Sequence, residues 1–251
     1  MSDVSVLLVG ESWQTLELHI KGFDMFCRGD YSEGIDDLRT ALTDNGVDTD
    51  YQPCHVAATE FPATTEAISQ YDAVVLSDIG YDTLAIPPGS FDRFERIPNR
   101  LELLDSFVRA GGGLVMIGGY MSFQGIKGGG GYSGTLLEDI LPVSLDPFDD
   151  RVERSDGVVP TPQAPDHPIF DGISEEWPHF LGYNRVSCDD DADLLLTVND
   201  DPMLVTGAHG DGRSVAFTSD CAPHWGPPAF TEWEHYPDLW TNIVSWASGE
   251  V

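Results

Sequence analysis

Val4-Ser5-Val6-Leu7-Leu8-Val9-Gly10 is an almost unbroken β-branched and aliphatic run that ends on glycine. A strand with one wet face alternates polar and apolar residues, whereas a strand covered on both faces has no need to. This run therefore predicts an interior strand of a parallel sheet. Working outward, Ile35, Leu38, Ala41 and Leu42 recur at helical spacing within 33–42, and Asn45-Gly46 supplies the stop. A second strand follows over 47–52 and a third over 73–77. Residues 101–108 read as a helix closed by Gly111-Gly112-Gly113, which leads into a strand at 114–117. Strand and helix in alternation predict a doubly wound, mostly parallel α/β/α sheet of flavodoxin-like form.

Beyond Tyr120 the pattern loosens. A glycine-rich run, 125–134, is expected to form a mobile flap or a subunit contact, and residues 142–192 an insertion of short strands and loops over a single domain spanning 1–251. Residues 194–198, 203–206 and 214–218, joined by Asp/Gly turns, predict an antiparallel or mixed extension of the sheet. A helix at 237–247, with proline in its first turn and Leu239, Trp240, Ile243, Val244 and Trp246 at helical spacing, closes the chain.

The chain has 251 residues, 41% of them hydrophobic, enough for a substantial core. Asp and Glu number 43 against 12 Lys and Arg, a formal charge of -31, and the only lysines are Lys21 and Lys127. So negative a surface repels phosphate backbones and anionic headgroups, which argues against nucleic-acid and membrane partners. Acidic, lysine-poor composition suits a salt-laden, halophile-type cytoplasm, where screening over about 3 Å at molar salt suppresses self-repulsion. No apolar run reaches 18 residues, and no basic and apolar leader follows Met1-Ser2-Asp3, so a cytoplasmic location is expected. Cys27, Cys54, Cys188 and Cys221 are dispersed and predict no disulfide framework.

In an open parallel sheet, ligands bind beyond the carboxyl ends of the strands. The segments expected there are Glu11-Ser12-Trp13 running on to His19 and Lys21, then Ser77-Asp78, then Gly118-Gly119-Tyr120 through Gln124, and Ser219-Asp220-Cys221 through His224-Trp225. The order of elements, the elbow-like Gly118-Gly119-Tyr120-Met121-Ser122, the phrase Asp166-His167-Pro168-Ile169-Phe170-Asp171-Gly172-Ile173, and residues 215–225 resemble the class I glutamine amidotransferase-like superfamily. The nearest branch is the "putative glutamine amidotransferase" family, with ThuA-like proteins as distant relatives.

The resemblance implies a cysteine nucleophile at the centre of a G-x-C-x-G elbow and a late histidine followed by Pro-Glu. Here Tyr120 and Ser122 replace the cysteine and the second glycine, and His224 is followed by Trp225-Gly226. A phenol is a poor substitute for an activated thiol, so standard glutaminase chemistry is not expected. A displaced nucleophile is conceivable at Cys221, three residues before His224. No histidine and cysteine set has the paired spacing of a structural zinc site, and no metal or cofactor is predicted.

Two function classes follow. In the first, a small metabolite, anionic or polyhydroxylated, occupies a strand-tip pocket lined by Glu11, Ser12, Trp13, His19, Lys21, Asp78, Gly119, Gln124 and Trp225. His224, Tyr120 and Cys221 are the catalytic candidates, and an enzyme of this kind would be a hydrolase or transferase. His224 suits general acid or base work because an imidazole changes protonation near neutral pH, and Lys21 would supply positive charge. In the second, the chain is a non-catalytic oligomeric assembly protein with a vestigial pocket, its subunit contacts made by the glycine loop and the tryptophan-rich C-terminal region.

Overall fold

The computed structural model describes residues 4–174 and 176–251; the short polar lead-in Met1–Asp3 lies outside them. In chain order the strands are β1 (Ser5–Gly10), β2 (Ser12–Lys21), β3 (Asp24–Glu33), β4 (Asp48–Gln52), β5 (Ala73–Ser77), β6 (Gly113–Ile117), β7 (Val143–Leu145), β8 (Arg151–Val158), β9 (Thr161–Pro162), β10 (Phe180–Asn184), β11 (Val186–Cys188), β12 (Asp193–Val198), β13 (Asp201–His209) and β14 (Gly212–Phe217). The α-helices are α1 (Asp36–Asp44), α2 (Cys54–Glu60), α3 (Thr65–Ile68), α4 (Tyr81–Ala85), α5 (Pro88–Arg93), α6 (Arg100–Arg109), α7 (Pro228–Thr231) and α8 (Tyr236–Ala247).

Eight strands form the main sheet in the order β4-β1-β5-β6-β14-β13-β12-β9. The first five are parallel, and their order, 2-1-3-4-5 among themselves, is the flavodoxin arrangement. β13 and β12 then extend the sheet antiparallel, as expected for 194–218. Inside the sheet, Val6, Leu8, Val75, Val115, Ile117 and Phe217 face a core shared with α1 and α8. The alternate residues Leu7, Val9, Val74, Leu76, Met116 and Ala216 face the other layer, with α2 and α6. Both faces are covered, which is why the strands could be continuously apolar. α6 begins where Asn99 Oδ1 accepts the Leu101 N–H at 3.0 Å.

Two segments depart from the sequence reading. Residues 12–33 do not form a strand-tip loop: β2 and β3 pair along ten residues each as an antiparallel hairpin whose side chains are almost all exposed. The glycine run is not a flap. Tyr132 is fully buried with its hydroxyl donating to the Ile79 carbonyl at 2.8 Å, and Gly130 N–H bonds the Gln124 carbonyl at 2.9 Å. Residues 142–192 are short strands and loops: β8 pairs with β10, β7 with β11, and β9 joins the edge of the main sheet.

Candidate functional site

The switch point of a 2-1-3-4-5 sheet lies between its first and third strands, here β1 and β5, where consecutive crossovers leave in opposite directions. Glu11 and Asp78 sit there, one residue beyond each strand, and Glu11 N–H bonds the Ser77 carbonyl at 2.7 Å. Both have left-handed backbone, with φ of 44° and 43°. For residues carrying a Cβ this conformation costs on the order of 1 kcal/mol or more. The tip after β6 is drawn against both neighbours. On the β14 side Gly118 N–H bonds the Phe217 carbonyl at 2.7 Å, and a Cβ on Gly118 would lie 2.1 Å from the Thr218 carbonyl oxygen; on the β5 side Met121 N–H bonds Asp78 Oδ1. The segments beginning at Gly10, Gly118 and Ser219 are thus side by side at one edge.

Three carboxyl groups meet beneath this edge. Ser77 Oγ donates to Glu11 Oε2 at 2.6 Å, and Asp78 Oδ1 accepts the Met121 N–H at 2.6 Å. Asp220, just past β14, is buried, with Oδ1 accepting the Ala222 N–H at 3.0 Å. Burial, then the charges of Asp220 and Asp78, push the Glu11 carboxyl well above its ordinary range. Burial followed by Asp78 does the same to Asp220. Asp78 is also raised by burial, against the opposing pull of the Met121 N–H and His224. The group holds protons well above the pH at which exposed carboxylates lose theirs.

His224 lies above the acids and is partly exposed, with Nδ1 3.7 Å from Asp220 Oδ2. Its ring meets Tyr120 edge-on at 4.1 Å and stacks on Trp225 at 5.6 Å. Tyr120 OH and Trp225 Nε1 both donate to Glu153, at 3.1 and 3.2 Å, and the Arg151 guanidinium stands 5.2 Å over the Tyr120 ring. Asn184 ties the elbow down: its Oδ1 accepts the Gly119 N–H and its Nδ2 donates to Asp150, which also accepts the N–H groups of Gln124 and Gly125.

Glu11, Asp78, Gly119, Tyr120, His224 and Trp225 are therefore brought together. Cys221 is adjacent but turned inward: it is buried, its Sγ lies 3.6 Å from Ser77 Oγ, and burial together with Glu11 and Asp220 pushes its thiol well up. It forms no hydrogen bond to His224, and among the described residues the charges that act on it, Glu11 and Asp220, disfavour a thiolate.

Other predicted residues serve elsewhere. Ser12 Oγ accepts the Cys54 N–H at 2.8 Å, so it fastens the hairpin root to α2, and Trp13 lines a cavity of about 300 Å³ at that root with Tyr31, Cys54 and His55. Gln124 braces the glycine loop, accepting the Ser133 N–H at 3.0 Å. His19 and Lys21 are on the hairpin, where both contact Phe26. Sequence reasoning gave no role to Asp220, Glu153 or Asn184. For Asp220 a signal existed, an acid at a strand tip four residues before a histidine; for the other two, in the insertion, none did.

Among the described residues, Glu11, Asp220 and Cys221 are the one set whose potential ligand atoms, all within 4.8 Å of one another, could share a metal ion.

A flavodoxin-type sheet whose strand-tip residues surround an elbow defines a protein of the class I glutamine amidotransferase-like kind, here with tyrosine at the elbow's centre. The chain belongs to the family described as "Putative glutamine amidotransferase", whose model matches residues 5–249. It is similar to two solved cytoplasmic proteins of Salmonella typhimurium. STM3548 is 42% identical with a TM-score of 0.94, covering 96% of this chain and 98% of its own. STM1381, from strain LT2, is 42% identical with a TM-score of 0.94, covering 97% and 99%. A ThuA-like protein of Bacteroides uniformis shares the fold at 11% identity and a TM-score of 0.58, covering 98% of this chain and 91% of its own. No curated protein matches the chain.

Proposed function

We propose that this chain is a glutamine amidotransferase-like protein of the cytoplasm that has dispensed with cysteine chemistry and binds or acts on a small polar metabolite at the carboxyl edge of its sheet. The observation that carries this reading is the convergence of the buried Glu11 and Asp220 with the half-buried Asp78, beneath the partly exposed His224. Buried acids with raised pKa values beside an imidazole can store and relay a proton, which is what general acid–base catalysis of hydrolysis or group transfer requires. A ligand would meet His224 and Tyr120 first, with the acids behind them.

Glutamine hydrolysis by the family's usual route is not part of this reading. Residue 120 carries a phenol raised by burial and by Glu153, and the segment after it forms turns and a short 3₁₀ helix (Ile126–Gly128) instead of the α-helix an elbow feeds. Three acids, with the nearby Arg151 guanidinium already paired to Asp149 and Glu153, favour a neutral, polyhydroxylated ligand over an anionic one, since carboxyl groups exchange hydrogen bonds with hydroxyls and the paired guanidinium is not free for an anion.

Mass spectrometry of compounds released on denaturing the purified chain tests the proposal. A polar metabolite retained by the native protein and lost from a folded His224→Ala variant is expected. Retention by that variant equal to the native protein's, or no binding of any polyol or sugar by the native protein, would count decisively against it.

A further inference from the structure

The β2–β3 hairpin is an amphipathic arm with one face uncovered. By strand register, Leu16, Leu18 and Ile20 share a face with Met25, Cys27, Gly29 and Tyr31. The opposite face carries Glu17 across from Arg28, Lys21 across from Asp24, and the stacked pair His19 and Phe26. Leu16, Leu18, Ile20 and Met25 are each more than half exposed, and the tip residue Phe23 is wholly so. A two-stranded ribbon is marginal in water unless its apolar face packs on something.

A receptor for the tip lies near the arm's own root. Between α2, α5 and α6 is a cavity of about 360 Å³ with apolar walls, including Phe61, Ile97 and Pro98, and with Arg93, Arg96 and Arg100. Three of the chain's ten arginines thus line one cavity of a protein with a charge of -31. Arg100 is buried, its guanidinium donates to the carbonyls of Ala57, Ala58 and Thr83, and among the described residues its Nε has no hydrogen-bond partner. Ala58 forms part of both this cavity and the one at the arm root.

We infer that two copies of this chain exchange arms about a two-fold axis, apolar face on apolar face, with Phe23-Asp24 of each entering the arginine-lined cavity of the other. A ten-residue hairpin spans about 34 Å, so antiparallel arms bring each tip to the other's root, where the cavity is. An aromatic ring followed by a carboxylate matches apolar walls beside the exposed Arg96 and Arg93, the latter already paired with Glu95 at 3.0 Å, and a cavity of about 150 Å³ already admits a benzene ring. The arm face alone, about 34 by 10 Å, buries roughly 700 Å² counted on both copies, short of the ~1,200 Å² of a stable interface. Two inserted tips close that gap, so both contacts are needed. On the arm, Lys21 and Arg28 offset two of the four acids, Glu17, Asp24, Asp30 and Glu33.

Light scattering on the full chain in molar KCl tests this. The native chain is expected as a dimer or an even multiple of one. Leu18→Asp with Ile20→Asp, and separately Phe23→Asp, should each weaken association at least tenfold without changing far-UV circular dichroism, since all three side chains are exposed. A native chain that stays monomeric at tens of micromolar, or one that forms an odd-numbered assembly, overturns the inference. So does an assembly indifferent to the Leu18 and Ile20 changes, and indifference to Phe23→Asp alone overturns the tip contact.

Discussion

Replacing Glu11 by glutamine removes one carboxyl group from the acid cluster while nearly preserving shape, and its effect on stability has a sign that depends on pH. The potential ligand atoms of Glu11 and Asp220 lie within 4.8 Å of each other. Two unit charges at that distance repel by at least about 3 kcal/mol at an effective dielectric of 20. The folded carboxyls of Glu11 and Asp220 are raised well above their ordinary values by burial, with Asp220 and Asp78 adding to the effect on Glu11 and Asp78 to that on Asp220. At a pH below the unfolded carboxyl range, both states are protonated and the cluster costs nothing. As pH rises, the unfolded chain loses these protons first, so stability falls until the folded cluster has ionised too. Glutamine still accepts from Ser77 Oγ, and its extra N–H group costs about 1 kcal/mol if unpaired. The net gain at pH 8.5 is then about 2 kcal/mol, roughly 4–8 °C in melting temperature for a chain of this size, shrinking toward a small loss at pH 5. Thermal melts of both proteins across that range at fixed KCl measure it. A Glu11→Gln variant less stable than the native chain at pH 8.5, or shifted equally at both ends, would refute the account of the buried acids.

Three further outcomes are expected. Tyr120→Cys will not release ammonia from glutamine, because among the described residues no α-helix starts directly after residue 120 to hold an oxyanion; a coupled ammonia assay on the folded variant checks this. Cys221→Ser will leave ligand retention unchanged while costing about 1 kcal/mol of stability, read by melting and by mass spectrometry of the bound compound, because the buried thiol faces Ser77 and the core. With a formal charge of -31, the unfolding midpoint will rise between low and molar KCl as surface repulsion is screened; a flat or falling midpoint would remove the high-salt interpretation.

The central sheet was legible because β1, β5 and β6 are buried on both faces and their composition had to say so. The tips were legible by the same logic, since Glu11, Asp78, Tyr120 and His224 interrupt apolar runs at strand ends. The arm was misread although its period of two is plain in Leu16, Leu18 and Ile20. Its apolar face has no partner among the described residues, and its alternation went unread in a segment assigned to a strand-tip loop. The glycine run was misread for the opposite reason: glycine composition suggests freedom, but Gly130 packs so closely on the carbonyls of Ser122 and Phe123 that a Cβ would lie 2.8 Å from each. Glu153 and Asn184 were beyond reach, because what brings them to the site is the folding back of the insertion through the β8–β10 pair.

The strongest reason to read the acid cluster as functional is what it costs. A left-handed position at a strand end is filled most cheaply by glycine, as at Gly10 immediately before Glu11. Glu11 and Asp78 instead place β-carbon-bearing, ionisable side chains in that conformation and withdraw them from water beside a third acid. Strain and desolvation each oppose folding, and the hydrogen bonds from Ser77 and Met121 offset them only in part. The Met121 N–H gives Asp78 a structural task, but apolar packing gives no reason to bury Glu11 and Asp220 beside it. Glu11 is moreover the residue from which the arm departs, its carbonyl accepting the Gly34 N–H at 2.9 Å where the arm returns. Whatever seats the arm therefore also fixes the backbone that presents this carboxyl, and the assembly surface and the acid cluster share one structural element.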